Sequence, residues 1–242
     1  MIDTALLETI TTETASLAAA ARLAGPSVQV PSCPEWNMAK LVKHTGTTHA
    51  WAGAIVMART PVSPGSLELG LPDDPIGFPD WLENGATQFV DRLASAGVGE
   101  PCWSWGADQH VRFWARRMAH ETVVHRWDAQ DVSGQPDAIE PLVALDGIDE
   151  LFGLVAYHPT LSEFRGAGET LHLHATDCDG EWLVRCTDAG MEITREHAKG
   201  DVAVRGSASD LMLFVVGRVD YRSLEVFGNA AIVDDFAARF RY

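Results

Sequence analysis

The sequence predicts an α+β protein in two parts: a four-helix bundle over residues 1–160, then a small α/β domain over residues 161–242. Two observations carry this. Up to about residue 158 the apolar residues recur at helical spacing, and from about residue 169 they alternate with period two. A chain of 242 residues with 46% hydrophobic and 21% charged residues is long and apolar enough to bury one large core or two smaller ones.

The first helix is expected over about residues 3 to 24, with Leu6, Ile10, Leu17, Ala20 and Ala21 near one face, stopped by Gly25-Pro26. A second follows PSCPEW, with Asn37 as N-cap, and runs through MAKLVKHTGTTHAWAGAIVMA. A third spans about 79 to 96 and a fourth about 111 to 131, followed by the shorter apolar segment PLVALDGIDELFGLVAYH. Between the second and third lies TPVSPGSLELGLPDDPIGFPD, too long and too rich in Pro and Gly for a simple connector; it reads as a binding loop or a solvated one. LHLHAT, EWLVRC and MEITRE are short alternating strands separated by Asp179-Gly180 and Ala189-Gly190. DVAVRG is a further strand, Ser207 caps a helix leading to Arg218, and SLEVFG precedes a closing helix, NAAIVDDFAARF. The domain boundary is expected near residues 158 to 168.

Charge and composition exclude several classes of function. A formal net charge of −16 without a Lys/Arg cluster repels a phosphate backbone, so no nucleic-acid partner is expected. The acidic N-terminus lacks the pattern of a signal peptide, and no stretch is apolar enough to span a bilayer; a soluble, cytoplasmic protein is expected, monomeric or a small homo-oligomer. Cys33, Cys102, Cys178 and Cys186 show no C-x-x-C spacing and read as free thiols.

AHETVVHRWDAQ, within the fourth helix, is the stretch that suggests chemistry. At roughly 100° per residue, residues four apart nearly share a face and residues five apart diverge. His120 and His125 therefore separate, whereas Glu121 and His125 align with Trp114, Met118 and Asp128 on the inward stripe. A carboxylate and an imidazole on an inward face need a partner, and a metal is one candidate. The alternative is structural: Glu121 pairs with Arg117 one turn earlier and His125 is an ordinary hydrogen-bonded histidine. The second helix offers His44 and His49, of which only one should point inward, and periodicity does not choose between them. His172 and His174 share a strand face, but no third ligand is evident, so they read as solvent-facing polar residues. Trp103, Trp105, Trp114 and Trp127 read as core or pocket rim.

VPSCPEWNMAKLVKHTG, RRMAHETVVHRWDAQ, VRGSASDLMLFVVGR and LEVFGNAA resemble, in order, the signatures of the mycothiol-dependent maleylpyruvate isomerase family, one of the DinB-like metal-binding helix bundles. The resemblance covers nearly the whole chain. It implies a DinB-like bundle with a small C-terminal α/β domain, and a divalent metal, usually zinc, on His44, Glu121 and His125, which selects His44 over His49. It also implies an external thiol, mycothiol, the low-molecular-weight thiol of actinobacteria, as cosubstrate. The chain departs from the pattern where WDAQ replaces the commoner WDAE and where Val216 replaces a tryptophan, and these positions bear on the substrate more than on the metal.

The expected activity is thus a metal-dependent isomerase or S-transferase acting on a small electrophile, the alternative being a non-catalytic metal-binding or regulatory protein. In so acidic a protein an anionic substrate or cofactor needs a cationic clamp, and Arg218 is the candidate, against a helix-terminal arginine favoured by the dipole. Asp128, one turn beyond His125, is the candidate to orient that ligand, against a surface salt bridge.

Overall fold

The computed structural model describes residues 2–240, and the chain divides into two compact units between Asp137 and Ala138. The first contains α1 (Ile2–Ala24), α2 (Met38–Ala58), α3 (Phe78–Ala96) and α4 (Val111–Asp131), close to the expected spans. Each end has a local cause. Asn37 Oδ1 accepts the Lys40 N–H at 2.9 Å to start α2. At the other ends Gly25 (φ 81°) and Gly97 (φ 76°) take the left-handed turn-off that terminates α1 and α3.

The helices pack as a ring in the order α1, α4, α2, α3, so α1/α2 and α3/α4 are the lightly touching diagonals. Ile10, Leu17, Leu41, Ile55, Leu82, Leu93 and Trp114 are fully buried inside it, each contributing roughly 1.5–3 kcal/mol. At Gly46 the ring of Trp81 lies where a side chain would stand, which lets α2 and α3 approach closely. The long connection between them is ordered by two indoles: Trp51 Nε1 donates to Val62 O at 2.7 Å and Trp81 Nε1 to Leu69 O at 2.8 Å.

The second unit begins earlier than the period change suggested. α5 (Pro141–Leu154), which helical spacing grouped with the bundle, packs on α6 (Ala208–Val215) inside this unit. Between them come β1 (Thr170–Ala175), β2 (Glu181–Cys186), β3 (Met191–Thr194) and β4 (Val202–Gly206); β5 (Glu225–Gly228) and α7 (Ala230–Arg239) close the chain. The sheet order is β3-β2-β1-β4-β5, antiparallel except for the β1/β4 pair. Ser207 Oγ accepts the Asp210 N–H at 3.1 Å and caps α6 as its position suggested. Leu171, Leu173, Trp182 and Val184 are buried on one face of the sheet, where Trp182 Nε1 donates to Asp149 of α5 at 2.7 Å. His172 and His174 lie on the opposite face, and there the solvent-facing reading fails for His172, which is only 6% exposed. Among the described residues no helix is long and apolar enough to cross a membrane.

Candidate metal centre

α4 is the source of most of the centre. Its inward stripe is as expected, with Trp114, Met118, His125 and Asp128 all buried and Glu121 reaching across toward α2. His44 Nε2 and His125 Nε2 both approach Glu121 Oε1, at 3.0 and 3.2 Å. The three ligand atoms lie within 4.8 Å of one another. Arg117 also pairs with Glu121 as the structural alternative proposed, but through the other oxygen, Oε2, at 3.4 Å.

The expectation that only one histidine of α2 points inward does not hold, because both face α4. His49 is fully buried and bonds Thr122 Oγ1 at 2.8 Å, while His44, 35% exposed, takes Glu121. Residues five apart on α2 thus meet adjacent residues on α4 from two sides of the seam. The Thr122 hydroxyl donates its only proton to Met118 O at 2.6 Å. His49 must therefore donate from Nε2, which leaves its buried Nδ1 with no hydrogen-bond partner. Burial pushes the His49 pKa down to about 4.

Asp128 is fully buried rather than in a surface salt bridge. Its Oδ2 bonds His125 Nδ1 at 2.9 Å and its Oδ1 accepts from Ser32 Oγ at 2.6 Å. The segment that supplies Ser32, PSCPEW, is a tight loop closed by Val30 N–H to Trp36 O at 3.0 Å and Trp36 N–H to Cys33 O at 2.8 Å. It also lays the Trp36 ring 4.7 Å from that of His44 and 5.8 Å from that of His125. Without a metal, burial opposes charge on His125, but the bonds to Asp128 and Glu121 outweigh it and lift its pKa to about 9. Burial also opposes charge on Glu121, yet His125 and His44 hold its carboxyl well below the usual range. The Asp128–His125 bond fixes the tautomer that turns Nε2 toward Glu121 and His44, as carboxylates do behind metal-bound histidines.

Residues 7–130 match the Mycothiol maleylpyruvate isomerase N-terminal domain, and residues 143–234 match the MDMPI C-terminal domain. The chain belongs to the mycothiol maleylpyruvate isomerase family. The family fold is also that of a crystal structure of a histidine-to-alanine mutant of mycothiol-dependent maleylpyruvate isomerase, 14% identical, with a TM-score of 0.61 over 93% of this chain and 92% of that one. Two structures of a sec-alkylsulfatase, one described as stereoselective, inverting and from Pseudomonas sp., align at 14% identity and a TM-score of 0.34. They cover 79% and 81% of this chain but only 32% of their own, and carry no argument. No curated protein matches the chain.

Of the remaining sequence candidates, Arg218 belongs to the second unit. It lines a cavity of about 460 Å³ there with Arg222, Asp220 and Asp234. Its guanidinium donates to Val216 O at 3.0 Å, the helix-terminal contact that the sequence offered as the alternative. Two participants had escaped the sequence reading of this family member, Ser32 and Trp36. Both lie in the first family motif, close in sequence to Asn37, and only the folded loop brings them to α4.

Proposed function

We propose that the protein is a divalent-metal enzyme, with zinc the expected ion, that uses mycothiol to act on a small electrophile. The reaction is either cis–trans isomerisation of the maleylpyruvate type or S-transfer. The observation that carries this reading is the convergence of two imidazole nitrogens on Glu121 Oε1, with Asp128 behind one of them. Two histidines and a carboxylate form the donor set of a catalytic zinc site, which keeps a further position for substrate or water.

Zinc bound there would supply the positive charge that ionises a thiol at neutral pH. The protein's own part is to hold His125 in one tautomer through Asp128, to steady Glu121 through Arg117, and to leave the His44 side open to solvent. None of its cysteines is a ready nucleophile. Burial raises the pKa of Cys102, Cys178 and Cys186, the last to about 11. Cys33 Sγ donates to Asp128 Oδ2 at 3.7 Å, so that thiol is engaged behind His125. This supports an external thiol. For isomerisation, the thiolate adds to the activated cis double bond and the electron pair moves to the conjugated carbonyl. The new single bond rotates, and expulsion of the thiolate restores the double bond as trans. Arg218 is proposed to bind a carboxylate of substrate or cosubstrate.

Metal content of the wild type beside His125→Ala, followed by titration with mycothiol, tests the reading. Stoichiometric zinc lost at this centre in the variant, with thiol binding that requires the metal, is the expected result. Metal without thiol binding would leave a non-catalytic metal-binding protein, and no metal on His44, Glu121 and His125 would overturn the reading.

A further inference from the structure

The face of the sheet opposite α5 and α6 carries a second cluster of ligand-type side chains, independent of the first centre. His172 and His174 project from β1 two residues apart, and Glu181, the first residue of β2, stands directly opposite His174 in the register. The chain then runs through β3 at the sheet edge and must cross β2 and β1 to reach β4. On that crossover, residues 195–201, His197 turns back onto the cluster.

All three imidazoles aim a nitrogen at one atom. Glu181 Oε2 lies 2.8 Å from His172 Nε2, 3.3 Å from His174 Nδ1 and 2.6 Å from His197 Nδ1. The rings meet edge to face at 5.8, 5.8 and 6.3 Å, so their nitrogens converge instead of their faces stacking. A carboxylate oxygen has about two lone-pair sites, so three nitrogens around Oε2 are one more than it can satisfy. Arg205, the neighbour of His174 across the β1/β4 pair, is engaged with Glu225 at 3.5 Å.

We propose that His172, His174, Glu181 and His197 form a second metal site, one that takes a zinc-like divalent transition ion. The four ligand atoms already lie within 4.8 Å of one another. Ligands at about 2.0–2.1 Å around a tetrahedral ion stand roughly 3.3 Å apart, so occupation needs the shortest contacts to Glu181 Oε2 to open and any wider pair to close, none by more than about 1.5 Å. His197, with its side chain 80% exposed, is the ligand freest to make these adjustments. Three imidazoles and one carboxylate favour zinc, nickel or copper over calcium and magnesium, which take oxygen ligands. With four protein ligands the site is coordinatively closed and its role is structural. The ion would pin the crossover 195–201 to β1 and β2, fixing the connection that makes β4 parallel to β1.

Zinc stoichiometry and affinity of the full chain test this against a metallochromic competitor, in wild type, His125→Ala, His197→Ala and the double variant. The proposal expects two zinc ions per wild-type chain and one tight ion in His125→Ala. Adding His197→Ala should weaken that ion by at least the roughly 10–100-fold seen when a supporting contact is lost. It also expects zinc to slow amide exchange of residues 195–201 in His125→Ala but not in the double variant. A His125→Ala protein that binds no zinc, or whose zinc is indifferent to His197→Ala, overturns it. One ion lost in His197→Ala and kept in His125→Ala would support this site and sink the first, so the two readings fail separately.

Discussion

Acid should destabilise the bundle through His49. The side chain is fully buried, and that burial holds its pKa at about 4, against an ordinary 6.5. Because the folded-state pKa is depressed, the unfolded chain binds the proton more tightly. Stability from this residue is therefore complete above about pH 6.5 and falls as pH drops toward 4. Integrating between those pKa values gives a loss of about 2 kcal/mol between pH 7 and pH 5. Urea unfolding followed by tryptophan fluorescence reads the right unit, since every tryptophan except Trp182 precedes Asp137. The comparison is with His49→Gln, whose amide can still donate to Thr122 but does not titrate. The wild type should lose about 2 kcal/mol more than the variant over this interval. Equal losses would refute the argument, as would an NMR spectrum placing the neutral ring's proton on Nδ1.

Asp128→Asn should lower zinc affinity at the first centre by roughly 10–100-fold, because His125 and Ser32 bond different oxygens of Asp128 and an amide would turn its NH2 toward one of them; competition with a chelator reads this. Gly46→Ala would place a Cβ 2.5 Å from Trp81 Cη2 and closer still to Cζ3, and should cost about 1–3 kcal/mol in chemical denaturation. Arg218→Lys should raise KM for an anionic substrate with little change in kcat, since lysine cannot reproduce a bidentate grip; steady-state kinetics with mycothiol and maleylpyruvate decides it.

Much of this was legible in sequence because it depends on neighbours along the chain. The span of α4, the alignment of Glu121, His125 and Asp128, and the strand EWLVRC follow from period, and Asn37 and Ser207 from capping chemistry. What stayed hidden depends on the path of the chain in space. Ser32 and Trp36 reach α4 only through the fold of a six-residue motif. His197 is 23 residues beyond His174 and meets it only because the crossover returns over the sheet. The grouping of α5 with the second unit is likewise decided by its packing on α6, to which helical period is blind. On α2 alone His44 and His49 are rivals, whereas a seam between two helices has room for both.

That seam bears on how the protein would respond to gaining or losing a metal. The His49–Thr122 bond is neutral and needs no ion, whereas the His44–Glu121 contact is the one a metal would reorganise. Since the first does not depend on an ion, the packed α2/α4 seam keeps that bond when the centre is empty. Loading and stripping would then be a reversible exchange on a standing scaffold, and a chelator should yield a folded protein ready to be refilled.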